Sequence, residues 1–112
     1  MKDDRFYLQH IKQPIEQIDA YRSTRDDFMQ NPMMQDAIIR QLEIIGEATK
    51  MISSETRTKY PSLPWREMAG MRDKLIHAYF GVDLAAVWDT ADSDLPPLAR
   101  QIQEIINCMT DN

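Results

Sequence analysis

Between Asn31 and Ser53 the spacing of apolar side chains leaves little choice of local structure. Met34, Ile38, Leu42, Ile45, Thr49 and Ile52 follow one another at steps of three and four residues, which places them on one face of a helix. Ala37, Ile44 and Ala48 widen that stripe. Asn31 offers a capping side chain, and Pro32 is the one residue whose missing N–H costs nothing at the first helical position. This segment is expected to be the central helix, running to about Ser53. Gly46 within it costs about 1 kcal/mol relative to alanine, so it marks either a close approach of another helix or a tolerated defect.

The rest of the chain supplies partners for that helix. Residues 3–21 carry Leu8, Ile11, Ile15, Ile18 and Tyr21 at helical spacing, with Pro14 expected to bend the helix. "STRDDFMQ" reads as a short helix capped by Ser23 or Thr24, with acidic residues in its first turn. "SSETRTKYPSLP" reads as a turn region, after which "WREMAGMRDKLIHAYF" resumes helical spacing from Trp65 to Phe80. "DLAAVWDTA" makes a short helix and "PPLARQIQEIINCM" a final one. No stretch alternates with period two long enough for a strand. The expected fold class is therefore all-α: a single domain over residues 1–112, built as an antiparallel helical bundle with short additional helices.

Composition narrows the function classes. A net charge of −5 disfavours a general nucleic-acid coat protein, because sequence-independent binding rests on Lys and Arg neutralising phosphates. A few basic residues converging on one cleft still permit action on RNA. No apolar run reaches the ~18 residues of a membrane span, and the N-terminus lacks the apolar core of a signal peptide. A cytoplasmic protein is expected. The single cysteine, Cys108, allows no internal disulfide. One Cys and two distant His make no metal-ligand set, so neither metal nor cofactor is expected.

The segment "GMRDKLIHAYFG", residues 70–81, concentrates the reactive side chains. On a continuous helix Asp73 and His77 lie four apart on one face, where the carboxylate can orient the imidazole. Arg72 and His77 then point about 140° apart, so they meet only through a long side chain, irregular backbone or a second subunit. An imidazole moves protons near neutral pH, and a guanidinium binds phosphate with paired hydrogen bonds. Together they suit RNA cleavage by the internal 2′-hydroxyl. The plainer alternative is a solvated helix surface in which His77 bonds to Asp73 at the edge. Lys74 and His10 fit that plainer description.

The Arg-x4-His-x-Tyr pattern formed by Arg72, His77 and Tyr79 resembles the signature of the HEPN superfamily, specifically its HepT-like (DUF86) toxins. "QLEIIGEATKMIS" and "YPSLPWREMAGMRDKLIHAYFGVD" are similar to the same family, so the likeness covers nearly the whole chain. The resemblance implies a helical homodimer that brings two motif copies together in an interface cleft. It further implies a metal-independent endoribonuclease with Arg72 and His77 as catalytic residues and Asp73 beside them, where relatives often carry Asn. The implied partners are an RNA substrate and a minimal nucleotidyltransferase antitoxin that transfers AMP to the motif tyrosine, Tyr79. A non-catalytic helical dimer that binds such a nucleotidyltransferase is the competing reading. A nucleotide-binding accessory domain, in which Arg72 and His77 hold a phosphate without cleaving it, is a weaker third.

Overall fold

The structure is a computed structural model that describes residues 3–71, 73, 76–77 and 81–110. Its first three helices begin at capping side chains. Asp3 accepts from the Phe6 amide at 3.1 Å and starts α1 (Asp4–Tyr21). Thr24 accepts from the Asp27 amide and starts α2 (Arg25–Gln30), while the Ser23 hydroxyl donates to the Asp27 carboxylate. Asn31 accepts from the Met34 amide and starts α3 (Pro32–Lys50), with Pro32 in its first turn. In each case a polar side chain satisfies an amide that the first helical turn leaves without a backbone partner.

Two long-range polar contacts set the directions of the helices. The Asp4 carboxylate, at the start of α1, accepts the Ser53 amide and the hydroxyls of Ser53 and Thr56, just beyond the end of α3. Arg22, at the end of α1, donates to Asp92 at 2.8 Å and to Asp19 at 3.0 Å. Asp92 lies just before the last helix, α7 (Leu95–Thr110). Helix α1 therefore runs antiparallel to both α3 and α7, and it packs against both. The seam is apolar: Leu8, Ile11, Ile15 and Ile18 of α1 meet Ile38, Leu42 and Ile45 of α3 and Leu98, Ile102, Ile105 and Ile106 of α7, all buried. Burying each such side chain contributes roughly 1.5–3 kcal/mol. The all-α expectation holds.

Three local expectations change. The turn expected after Ser53 contains a further helix, α4 (Ser54–Lys59), because Ser53 caps it through the Thr56 amide while Asp4 holds Ser53 from 49 residues away. Arg57 of α4 donates to the Thr49 and Ile52 carbonyls, which caps the end of α3 in return. The helix expected from Trp65 to Phe80 is shorter: α5 spans Trp65–Ala69. Beyond Gly70, Met71 and Asp73 are again helical, but Ile76–His77 (β1) pairs antiparallel with Gly81–Val82 (β2). Finally, α6 (Leu84–Asp89) continues into α7 through a π-helical turn at Thr90–Asp94, where a break had been expected. Pro96 and Pro97 lack amide donors, so the ladder loses two bonds, and the Leu95 amide reaches back to the Thr90 carbonyl.

Burial raises the pKa of Asp4, but the hydrogen bonds from Ser53 and Thr56 and the nearby Arg57 outweigh it and hold the carboxyl below the ordinary aspartate range. A depressed folded-state value means stability that is fully present above the unfolded-state pKa of about 3.9 and is lost as pH falls through the lower folded value. Asp4→Asn is expected to cost about 2 kcal/mol at neutral pH. Below pH ~4 the difference from wild type should shrink. Urea denaturation followed by circular dichroism at several pH values checks this; a constant difference down to strongly acidic pH contradicts it.

Candidate functional site

The residues leading into the motif are fixed by the core. Trp65 is buried and its indole N–H donates to the Tyr60 carbonyl at 2.9 Å. Met68 and Met71, at helical spacing from it, are buried as well. Helix α5 packs on α3 at Gly46, where a Cβ would meet the Ala69 carbonyl oxygen at 3.3 Å and the Met68 carbonyl oxygen at 3.6 Å. The close approach that Gly46 suggested is thus present. Its neighbours are backbone atoms, which cannot swing aside as a flexible side chain can.

The residues leading out of the motif are fixed too. Asp83 accepts from the Ala86 amide at 3.1 Å and starts α6. Val87 and Trp88 are buried, the Trp88 ring lying 5.5 Å from that of Phe28 on α2. Between these anchors, Ile76 pairs with Val82 and His77 with Gly81. The expected helical geometry of Asp73 and His77 is therefore corrected. Asp73 is helical and exposed, whereas the His77 backbone belongs to a strand pair, so the four-residue helical relation between them does not apply. The expected 140° separation of Arg72 and His77 involves Arg72 and so falls outside the described residues. Ile76 and Val82 are β-branched, and such residues suit an extended pair better than a helix. Arg72, Lys74 and Tyr79 lie outside the described residues.

His10 has a structural place. Its Nδ1–H donates to the Phe6 carbonyl at 2.9 Å, and its ring stacks on Phe6 with centroids 4.1 Å apart. Among the described residues no group of three or more His, Cys, Asp or Glu side chains is placed to hold a metal ion. No helix among them is long and apolar enough to cross a membrane.

A feature that sequence reasoning missed includes Met71, the residue before Arg72. Between α5 and the π-turn lies a bowl of about 400 Å3. Met68, Met71, Leu95 and Leu98 form its buried floor, and Glu67, Ser93, Asp94 and Gln101 stand around its rim. Its residues come from positions 64–71 and 90–101, so no local motif could reveal it. The "SDLPP" run, source of the π-turn, was the only hint in the sequence.

The fold defines a class: small helical bundles in which the stretch from Arg72 to Tyr79 follows one core-held helix in sequence and precedes another. The chain matches the ribonuclease HepT-like family over residues 11–105, and it belongs to that family. It is 47% identical over 103 residues to a probable ribonuclease HepT from Thermococcus cleftensis, covering 88% of this chain and 92% of that one. A putative RNase from Caldanaerobacter subterraneus is 45% identical over 108 residues, covering 95% of this chain and 96% of that protein. A γ-glutamylcyclotransferase and putative RNase from Methanocaldococcus jannaschii is 46% identical over 99% of this chain, which spans only 51% of that protein's length. No solved structure matches.

Because the Gly46 contact positions α5, Gly46→Val should destabilise the fold by about 2 kcal/mol through overpacking. Urea denaturation measures this. A variant as stable as wild type contradicts the close packing.

Proposed function

We propose that the chain is a metal-independent endoribonuclease, the toxin of a toxin–antitoxin pair. The observation that carries this reading is the Arg72, His77 and Tyr79 pattern in a chain of the ribonuclease HepT-like family, with relatives named as ribonucleases. His77 removes the proton from a 2′-hydroxyl, the 2′-oxygen attacks the adjacent phosphorus, and the bond from phosphorus to the 5′-oxygen breaks. The products are a 2′,3′-cyclic phosphate and a 5′-hydroxyl, the latter taking up a proton from imidazolium. Arg72 stabilises the charge that builds on the phosphoryl oxygens. Asp73 is the polar residue beside the arginine in sequence.

Two copies of the chain form the cleft, each contributing its motif across a two-fold axis. Exposed Met29 and Met33, at the α2–α3 corner, offer apolar surface for such contacts. A minimal nucleotidyltransferase antitoxin neutralises the enzyme by attaching AMP to Tyr79, which adds negative charge and bulk beside the cleft and repels RNA phosphate. The net charge of −5 together with Asp73 favours the competing reading, a non-catalytic dimer that binds the nucleotidyltransferase.

In EDTA, Arg72→Ala and His77→Ala are each expected to slow cleavage of single-stranded RNA by about 100-fold or more. Denaturing gels of end-labelled RNA give the rates. Cleavage by His77→Ala at the wild-type rate rules out its assigned role, and no cleavage by wild type favours the binding module. After co-expression with a small nucleotidyltransferase and ATP, intact mass should rise by whole adenylyl increments in wild type. Unchanged increments in Tyr79→Phe contradict modification of that tyrosine.

A further inference from the structure

We propose that the bowl between α5 and the π-turn is a guanine subsite, holding an unstacked base of the RNA beside the scissile phosphate. This inference rests on the ribonuclease reading for its substrate class, and on the bowl itself for its specificity. Its volume of about 400 Å3 falls within the ~300–1,000 Å3 of small-molecule sites. Single-stranded RNA is read this way, by bases splayed out of the stack and bonded along their Watson–Crick edges.

The lining selects the part of the nucleotide that enters. Met68, Met71, Leu95 and Leu98 give an apolar floor, and methionine sulfur is polarizable enough to pack well on an aromatic face. Among the described residues that line the bowl, the charged groups are the carboxylates of Glu67, on α5, and Asp94, on the π-turn. Among the described residues, neither carboxylate is held in an ion pair. Two carboxylates repel a phosphate, so the base faces inward and the backbone stays outside.

These two carboxylates also rank the bases. Guanine alone presents two adjacent donors on its Watson–Crick edge, N1–H and the 2-amino group, which match the two oxygens of one carboxylate. Uracil has one N–H flanked by carbonyls, and adenine and cytosine each place an amino group beside a ring acceptor. Gln101 and Ser93 can donate to the guanine O6. Position completes the case: Met71, in the floor, is bonded directly to Arg72, so subsite and proposed phosphate-binding cation are joined by one peptide bond.

Two measurements test the subsite, one of them independent of cleavage. With methionine methyl groups labelled with carbon-13, guanosine should shift the Met68 and Met71 signals. Inosine, which lacks the 2-amino group, should act more weakly, and uridine least, at equal concentrations. Glu67→Gln together with Asp94→Asn should remove the guanosine effect. On a randomised RNA, cuts should be enriched about tenfold beside guanine, and the double variant should lose that enrichment. Equal shifts by guanosine and uridine, or a guanine bias unchanged in the double variant, overturn the proposal. Stronger shifts by an arginine-rich peptide than by guanosine also overturn it and assign the bowl to a basic protein segment. Guanosine shifts without any RNA cleavage keep the base site and defeat the ribonuclease reading instead.

Discussion

The structure depends on a missing side chain. At Gly46 the backbone of α3 comes so near the end of α5 that a single methyl group would stand 3.3 Å from the Ala69 carbonyl oxygen. A glycine inside a long helix gives up roughly 1 kcal/mol of helix propensity, and here it gains the contact that fixes where α5 ends. Met68 and Met71 can then reach the core, directly before Arg72 in the sequence. The opposite end is held by Asp83 and by the packing of Trp88 on Phe28. Reactive residues thus lie on a short stretch between two rigid supports, an arrangement in which a stable scaffold carries chemistry on a connecting segment.

Two charged side chains do for the bundle what Gly46 does for the motif. Asp4 ties the beginning of α1 to the cap of α4, and Arg22 ties its end to the π-turn. Both contacts are partly exposed, so their individual contributions are modest beside the apolar seam. Their value is geometric: they fix the ends of α1 while Leu8, Ile11, Ile15 and Ile18 fill its length. The π-turn serves both purposes. Its Asp92 receives Arg22, while Thr90, Ser93 and Asp94 line the bowl that Met71 also lines.

Local signals in the sequence account for the parts of the fold that were legible. Thr24, Asn31 and Pro32 act within one helical turn of themselves, and the apolar stripe of α3 reports burial directly. Helix α4 is short and lies among turn residues, so its local Ser53 cap did not stand out, and the Asp4 contact that holds Ser53 comes from far away in sequence. The early end of α5 was missed for a different reason. Met71, Leu75 and Tyr79 happen to keep a helical period, although Ile76 and His77 adopt extended backbone paired with Gly81 and Val82. As for the site, Arg72, His77 and Tyr79 could be named from residue type and spacing, whereas the bowl appears only when positions 64–71 and 90–101 are brought together.

The central claim is that one chain carries half of a ribonuclease site. Mixing Arg72→Ala chains with His77→Ala chains, after unfolding and refolding together, measures it most directly. If Arg72 of one copy works with His77 of the other, half of the dimers are mixed and one of their two clefts is intact, so cleavage should recover to about a quarter of the wild-type rate. A mixture no more active than either variant alone, beside an active wild-type protein refolded in the same way, contradicts the shared site.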